Sequence, residues 1–190
     1  MAQLNQERNI AMHRSIQLLT FVAILCTPLL AASDPPLQLA KPLEPLQRFI
    51  GKTWKGRFAS STPEKPTHDV MKWERALNGQ AIRILHSIND GDYGGETMIM
   101  WNARTERLEF HYFTTAGFFT QGTIALEQDK IITHEQVTGS KNGVTEVKGT
   151  TEILTNGRLH TKSSYLKNGQ WVDGHEVFYE ESPGSEVRFK

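Results

Sequence analysis

The chain has 190 residues, enough for one domain with a substantial core, and its 21 basic side chains balance 21 acidic ones. The balance survives removal of residues 1–33, whose formally charged groups are Glu7, Arg8 and Arg14, and it argues against nucleic acid or an anionic membrane as the main partner. The single cysteine, Cys26, lies in an N-terminal apolar run, so the domain beyond it has no cysteine nucleophile, disulfide framework or thiolate metal site.

The first element is the run Ile16 to Leu30. At about 15 residues it is shorter than a bilayer-spanning helix. Arg14 precedes it, and Ala31-Ala32-Ser33 and Asp34-Pro35-Pro36 follow, giving the three-part pattern of a signal peptide over residues 1–33. The expectation is a periplasmic or secreted protein with no integral membrane span after cleavage. Met12-His13-Arg14 would be the more compact start for that leader, and translation from Met12 is expected. Residues 34–45 contain Pro35, Pro36, Pro42 and Pro45 and read as an extended linker, leaving 46–190 as the domain.

Leu43, Leu46, Phe49 and Ile50 fall at helical spacing and predict a short helix over one end of the domain, stopped at Gly51. From Thr53 the period becomes two: Trp54, Gly56 and Phe58 share one face, Lys55 and Arg57 the other. Pro63 and Pro66 mark a loop. Four Asn-Gly pairs follow, at 78–79, 142–143, 156–157 and 168–169, each a tight-hairpin signal because both central residues take positive φ. Between them, Asp90 to Gly95, Asn102 to Thr105, Thr115 to Gly117 and Gln128 to Lys130 also read as turns. These turns delimit about ten strands in meander order, near 53–60, 68–77, 80–89, 95–101, 106–114, 117–128, 130–139, 144–155, 158–167 and 170–181. No helical segment interrupts them, which excludes a parallel α/β sheet. The fold class is all-β: an antiparallel up-and-down barrel that closes to hide its edges.

The Asn78-Gly79 hairpin fixes a register. Arg75 faces Ile82, Trp73 faces Ile84 and Met71 faces His86, so Met71, Trp73, Leu77, Ile82, Ile84 and Ile88 form the inner face, joined there by the polar Arg75 and His86. Glu74 and Arg83 pair on the other face. Arg75 on an inner face needs a partner, either a ligand carboxylate or Glu152 or Glu176 from distant strands.

Gly51-Lys52-Thr53-Trp54-Lys55-Gly56 on a first strand, after a short helix and before a hairpin meander, resembles the opening of lipocalin-like (calycin) barrels. Trp73-Glu74-Arg75-Ala76-Leu77-Asn78-Gly79 and Phe113-Thr114-Thr115-Ala116-Gly117-Phe118 are similar to stretches of a group of bacterial exported proteins with such barrels and no known function. The likeness covers roughly Leu43 to Lys190. It departs from lipocalins proper in the extra residue between Gly51 and Trp54 and in lacking disulfide cysteines. Nitrobindin-like haem barrels open similarly, with a proximal histidine late in the chain, where His160 or His175 stands. The resemblance implies a cavity for a small, mostly apolar molecule.

Other motifs carry little. Gly51-Lys52-Thr53 lacks the upstream glycine of a phosphate loop, the place being Leu46. Ser164-x-x-Lys167 runs along a strand, and His134-Glu135 and His175-Glu176 lack a second histidine at zinc-helix spacing. Asp90 to Glu96 reads as a hairpin tip. Phe110, Tyr112, Phe113, Phe118 and Phe119 flank one turn and are expected to pack in the core. The residues therefore point to a binding barrel for a small apolar or amphipathic molecule, lined by Trp54, Trp73, Arg75, Ile84, His86 and Tyr112, with no catalytic residue, metal site or cofactor assigned. Cavity chemistry, hydrolase or isomerase, with His86 as general base is the alternative.

Overall fold

The computed structural model describes residues 38–190; the expected leader and the first four residues of the expected linker lie outside the described residues. Ten strands follow one another: β1 (Thr53–Phe58), β2 (His68–Ala76), β3 (Ala81–Ile88), β4 (Tyr93–Asn102), β5 (Arg107–Thr114), β6 (Phe119–Glu127), β7 (Lys130–Thr138), β8 (Val144–Ile153), β9 (Leu159–Lys167) and β10 (Gln170–Glu181). Each pairs antiparallel with the next, and β10 returns to β1 with Trp54 opposite Glu181 and Phe58 opposite Val177, closing the barrel. Closure leaves no unpaired edge strand. The β2–β3 register is the one the Asn78-Gly79 hairpin dictates: Met71 opposite His86, Trp73 opposite Ile84, Arg75 opposite Ile82. On the outer wall Glu74 lies 2.6 Å from Lys72 and 3.9 Å from Arg83, which also meets Glu96 at 3.2 Å.

The Asn-Gly turns divide. Asn168 and Gly169 both take positive φ, 51° and 78°, and join Lys167 directly to Gln170. At Asn78-Gly79 positive φ starts one residue earlier, at Leu77, within a single 3-10 turn. That turn carries Leu77 off the inner face, contrary to its expected place, and leaves it 60% exposed. At Asn142-Gly143 and Asn156-Gly157 only the glycine takes positive φ; each asparagine Oδ1 instead accepts the backbone N–H two residues on, from Val144 and Arg158.

The N-terminal helix is a 3-10 helix, Lys41–Phe49, starting inside the stretch read as linker. Leu43, Leu46 and Phe49 recur every three residues, the 3-10 repeat, so all three fall on one side and are almost fully buried. Phe49 stacks on Trp73 at 4.8 Å. Ala40 N–H donates to Gly79 O and Arg48 meets Asp129 at 3.0 Å, so the helix plugs the barrel end that carries the β2–β3 and β6–β7 turns. Beneath it, Trp54, Trp73, Ile82, Ile99, Leu108 and Leu159 form an apolar floor. After β10, Ser182 N–H bonds Thr53 O, and the tail runs up the outside to Ser87, whose hydroxyl accepts Arg188 N–H, and to Asp92, which pairs with Lys190.

The aromatic hairpin is split rather than packed in the core. Phe110 and Tyr112 point inward, whereas Phe113 and Phe119 stand on the outer wall, 53% and 39% exposed, with rings 6.2 Å apart. Strand alternation sends every second residue outward whatever its hydrophobicity. Phe49→Ala is accordingly expected to cost about 3–5 kcal/mol in urea denaturation, whereas Phe113→Ala should stay within about 0.5 kcal/mol of the parent.

Candidate binding lumen

Asp69 on β2 and His86 on β3 anchor the polar part of the interior. Asp69 is 3% exposed, and a carboxylate so buried needs donors. It has two: His86 Nδ1 at 3.0 Å on Oδ1 and Tyr179 O–H at 2.9 Å on Oδ2. The other imidazole nitrogen, Nε2, lies 2.7 Å from the Tyr112 hydroxyl, which donates to the Tyr93 hydroxyl oxygen at 3.1 Å. Both tyrosine contacts with the pair reach over an intervening strand. Tyr179 on β10 crosses β1 at Gly56, where a Cβ would lie 2.5 Å from its ring. Tyr112 on β5 crosses β4 at Gly95, where a Cβ would also lie 2.5 Å from its ring. The two glycines thus let one belt, Tyr179–Asp69–His86–Tyr112–Tyr93, run from β10 across β1 and β2 to β3, β4 and β5.

The rest of the ring contributes Glu135 on β7, Tyr165 on β9 and His175 on β10. Glu135 accepts a hydrogen bond from Thr120 Oγ1 at 2.9 Å. Burial raises its pKa, and the Thr120 bond offsets only part of that. Tyr165 O–H meets His175 Nδ1, and the His175 backbone N–H donates to Ser163 Oγ at 3.0 Å beside the bulge between Asp173 and Glu176. Burial lowers the His175 pKa, opposed by the charge of Asp69 and reinforced by that of His86. The Tyr93, Tyr112 and Tyr179 phenols are pushed up, chiefly by burial. Charge on Glu135 and Tyr165 contributes at Tyr93. Ile84, His86, Tyr93, Thr97, Tyr112 and Glu135 stay partly accessible to solvent although they face into a closed ring, whereas the floor is dry.

Of the residues expected from sequence, Ile84, His86 and Tyr112 line this interior, and Trp54 and Trp73 form its floor. Their indole N–H groups are buried without a hydrogen-bond partner among the described residues. Arg75 sits apart from these groups. Its partner is not Glu152 or Glu176; its Nε donates to the Gln38 carbonyl at 3.0 Å, at the plugged end. The two late histidines separate: His160 stands on the outer wall, 2.8 Å from Glu176 and stacked on Phe178, whereas His175 faces inward. Sequence reasoning missed Asp69, Tyr93, Glu135, Tyr165 and Tyr179. Asp69 and Tyr93 were legible in principle, because strand alternation puts them on the inner face with His86. Both ring nitrogens of His86 are engaged, Nδ1 with Asp69 and Nε2 with Tyr112. A shallow depression of about 460 Å³ on the outer wall, lined by His134, Lys148, Lys162 and Ser164, shares none of the belt's groups. Among the described residues, no three His, Cys, Asp or Glu gather as a metal site, and no helix is long and apolar enough to cross a membrane.

Fold and interior define a closed ten-stranded antiparallel barrel, plugged at one end, with a polar lumen toward the other. Among solved structures it is similar to the crystal structure of Rv2717c from M. tuberculosis, with a TM-score of 0.57 and 16% identity over 76% of this chain and 99% of that one. At that identity the likeness is one of fold. No protein-family model and no curated protein matches the chain.

Asp69→Ala is expected to cost about 3–5 kcal/mol, because it strips the acceptor from His86 and Tyr179 together, while Tyr112→Phe should cost about 1 kcal/mol by the same urea titration. Glu135 carries a pH signature. Its folded pKa is raised, so burial costs nothing below the ordinary value of 4.5, where both states hold the proton, and the full penalty appears once pH exceeds the folded value. Glu135→Gln should therefore raise the melting temperature, and the gain should grow from pH 4 to pH 8. His175 works in the reverse sense: its lowered pKa leaves stability unaffected above the ordinary 6.5 and removes it as pH falls below that value, so His175→Gln should flatten the acid side of the stability profile.

Proposed function

We propose that the barrel binds a small amphipathic molecule, apolar end on the Trp54–Trp73 floor and polar end at the Asp69–His86–Tyr112–Tyr93 belt. The observation that carries this is the contrast inside one closed ring, a dry floor beneath partly water-accessible polar groups. The two indole donors without partners add to it, since a buried N–H left unpaired costs about 1–3 kcal/mol until a water or ligand acceptor meets it. The calycin-type resemblance of the opening strand supports the same reading. So does the outer wall, whose Lys72–Glu74–Arg83–Glu96 chain is unlike the apolar band of a lipid-facing barrel. With the leader of residues 1–33, the protein is a periplasmic or secreted carrier.

A second reading, haem in the same lumen, rests on His175. Burial favours its neutral imidazole, and Tyr165 holds Nδ1, which leaves Nε2 as the nitrogen open to iron. Bound haem would be held by His175 and would supply ligand binding at iron.

Native mass spectrometry of the gently purified protein, followed by organic extraction, is expected to release a small amphipathic molecule. Absence of such a molecule, together with no shift of the Trp54 and Trp73 indole N–H resonances on screening with amphiphiles, would remove the carrier reading. A Soret band on adding haemin, lost in His175→Ala and kept in His160→Ala, would select the second.

A further inference from the structure

The charge lining the lumen is one-sided. Its inward positions carry two carboxylates, Asp69 and Glu135, and four phenols, Tyr93, Tyr112, Tyr165 and Tyr179. Strand alternation places Lys55, Arg57, Lys72, Arg83, Lys148 and Lys162 on the outer wall; the inward Arg75 is spent on Gln38 at the plug, and Lys167, which shares the parity of Tyr165, stands exposed at the end of β9. Asp69 is matched by His86 and Tyr179. Glu135 is not matched: among the described residues its hydrogen bond comes from the neutral Thr120, and no ion pair reaches it. Its neighbours across β6 and β8, Gly122 and Val147, bring no charge.

A half-buried carboxylate without a cation is costly, and proteins keep few of them without a partner. Here Val147 alone separates the carboxylate from Tyr165 in the β7–β8–β9 register, and Thr120, which donates to the carboxylate, lies opposite Tyr112, itself bonded to Tyr93. An acid set among aromatic rings over an apolar floor has the makeup of a site for an ammonium group on an apolar body, where ring faces and the carboxylate attract the same charge. Resting on the carrier reading above, we infer that the lumen takes small organic cations, the ammonium group seated against Glu135 among Tyr93, Tyr112 and Tyr165, the hydrocarbon directed to the Trp54–Trp73 floor. Anionic and neutral compounds of the same shape are discriminated against by Glu135.

Three probes of one shape test this: benzyltrimethylammonium, its uncharged carbon isostere neopentylbenzene, and the anion phenylmethanesulfonate. Each is titrated at pH 8 into the full chain while the Trp54 and Trp73 indole N–H resonances are followed by NMR. The cation should bind at least roughly tenfold more tightly than either other probe, a difference of about 1.4 kcal/mol. In Glu135→Gln that preference should vanish while binding of the neutral isostere stays within roughly twofold. A melting temperature no lower than the parent's shows that the variant is folded. Equal binding of cation and isostere, a preference for the anion, or an undiminished cation preference in Glu135→Gln overturns the charge assignment and leaves the carrier reading standing. Failure of all three probes to move either indole resonance overturns both.

Discussion

The interior depends on one buried carboxylate. Asp69 lies on β2 where the barrel leaves it almost no water, and it is stable there only because donors arrive from both sides. One of them, Tyr179, belongs to the last strand and reaches Asp69 on the second by passing over the first. The bond is thus a strut across the seam where chain start and chain end meet, joining residues 110 apart in sequence. Gly56 makes the passage possible, and Gly95 does the same for Tyr112 on the other side of His86. What looks in sequence like ordinary strand glycine is, at these two places, a gap in the inner wall sized for an aromatic ring.

The interior is graded along its axis. The plug helix supplies Leu43, Leu46 and Phe49 to a floor that excludes water, and polarity rises toward the opposite end, through His86 and Tyr112 to Tyr93, Glu135 and His175. A filled barrel would carry its apolar side chains through to both ends. Here the apolar supply stops midway and titratable groups from seven strands take over, each hydrogen-bonded to a neighbour or with its ionisation displaced by burial.

Strand number, order and the β2–β3 register were legible because alternation and turn chemistry are local, and a two-residue slip would have turned Trp73 or His86 out of register with Ile84 and Met71. Leu77 was misplaced because backbone strain in the turn begins one residue before the Asn-Gly pair. Phe113 and Phe119 were misplaced because hydrophobicity was weighed above parity. Half of the lumen was hidden for a different reason. Asp69 and Tyr179 meet across a closure, and no spacing in the chain encodes that meeting. The partner of Arg75 was equally out of reach, being a main-chain oxygen that any residue at position 38 would have offered.

The four tryptophans fall into two pairs with opposite surroundings. Trp54 and Trp73 sit at the floor, 1% and 4% exposed, whereas Trp101 and Trp171 are about two-fifths exposed, the latter under the Lys148 ammonium at 4.4 Å. An aqueous quencher such as iodide would darken the outer pair and spare the inner one. The emission that survives would be a label-free optical gauge of polarity at the base of the cavity, already installed in the native chain.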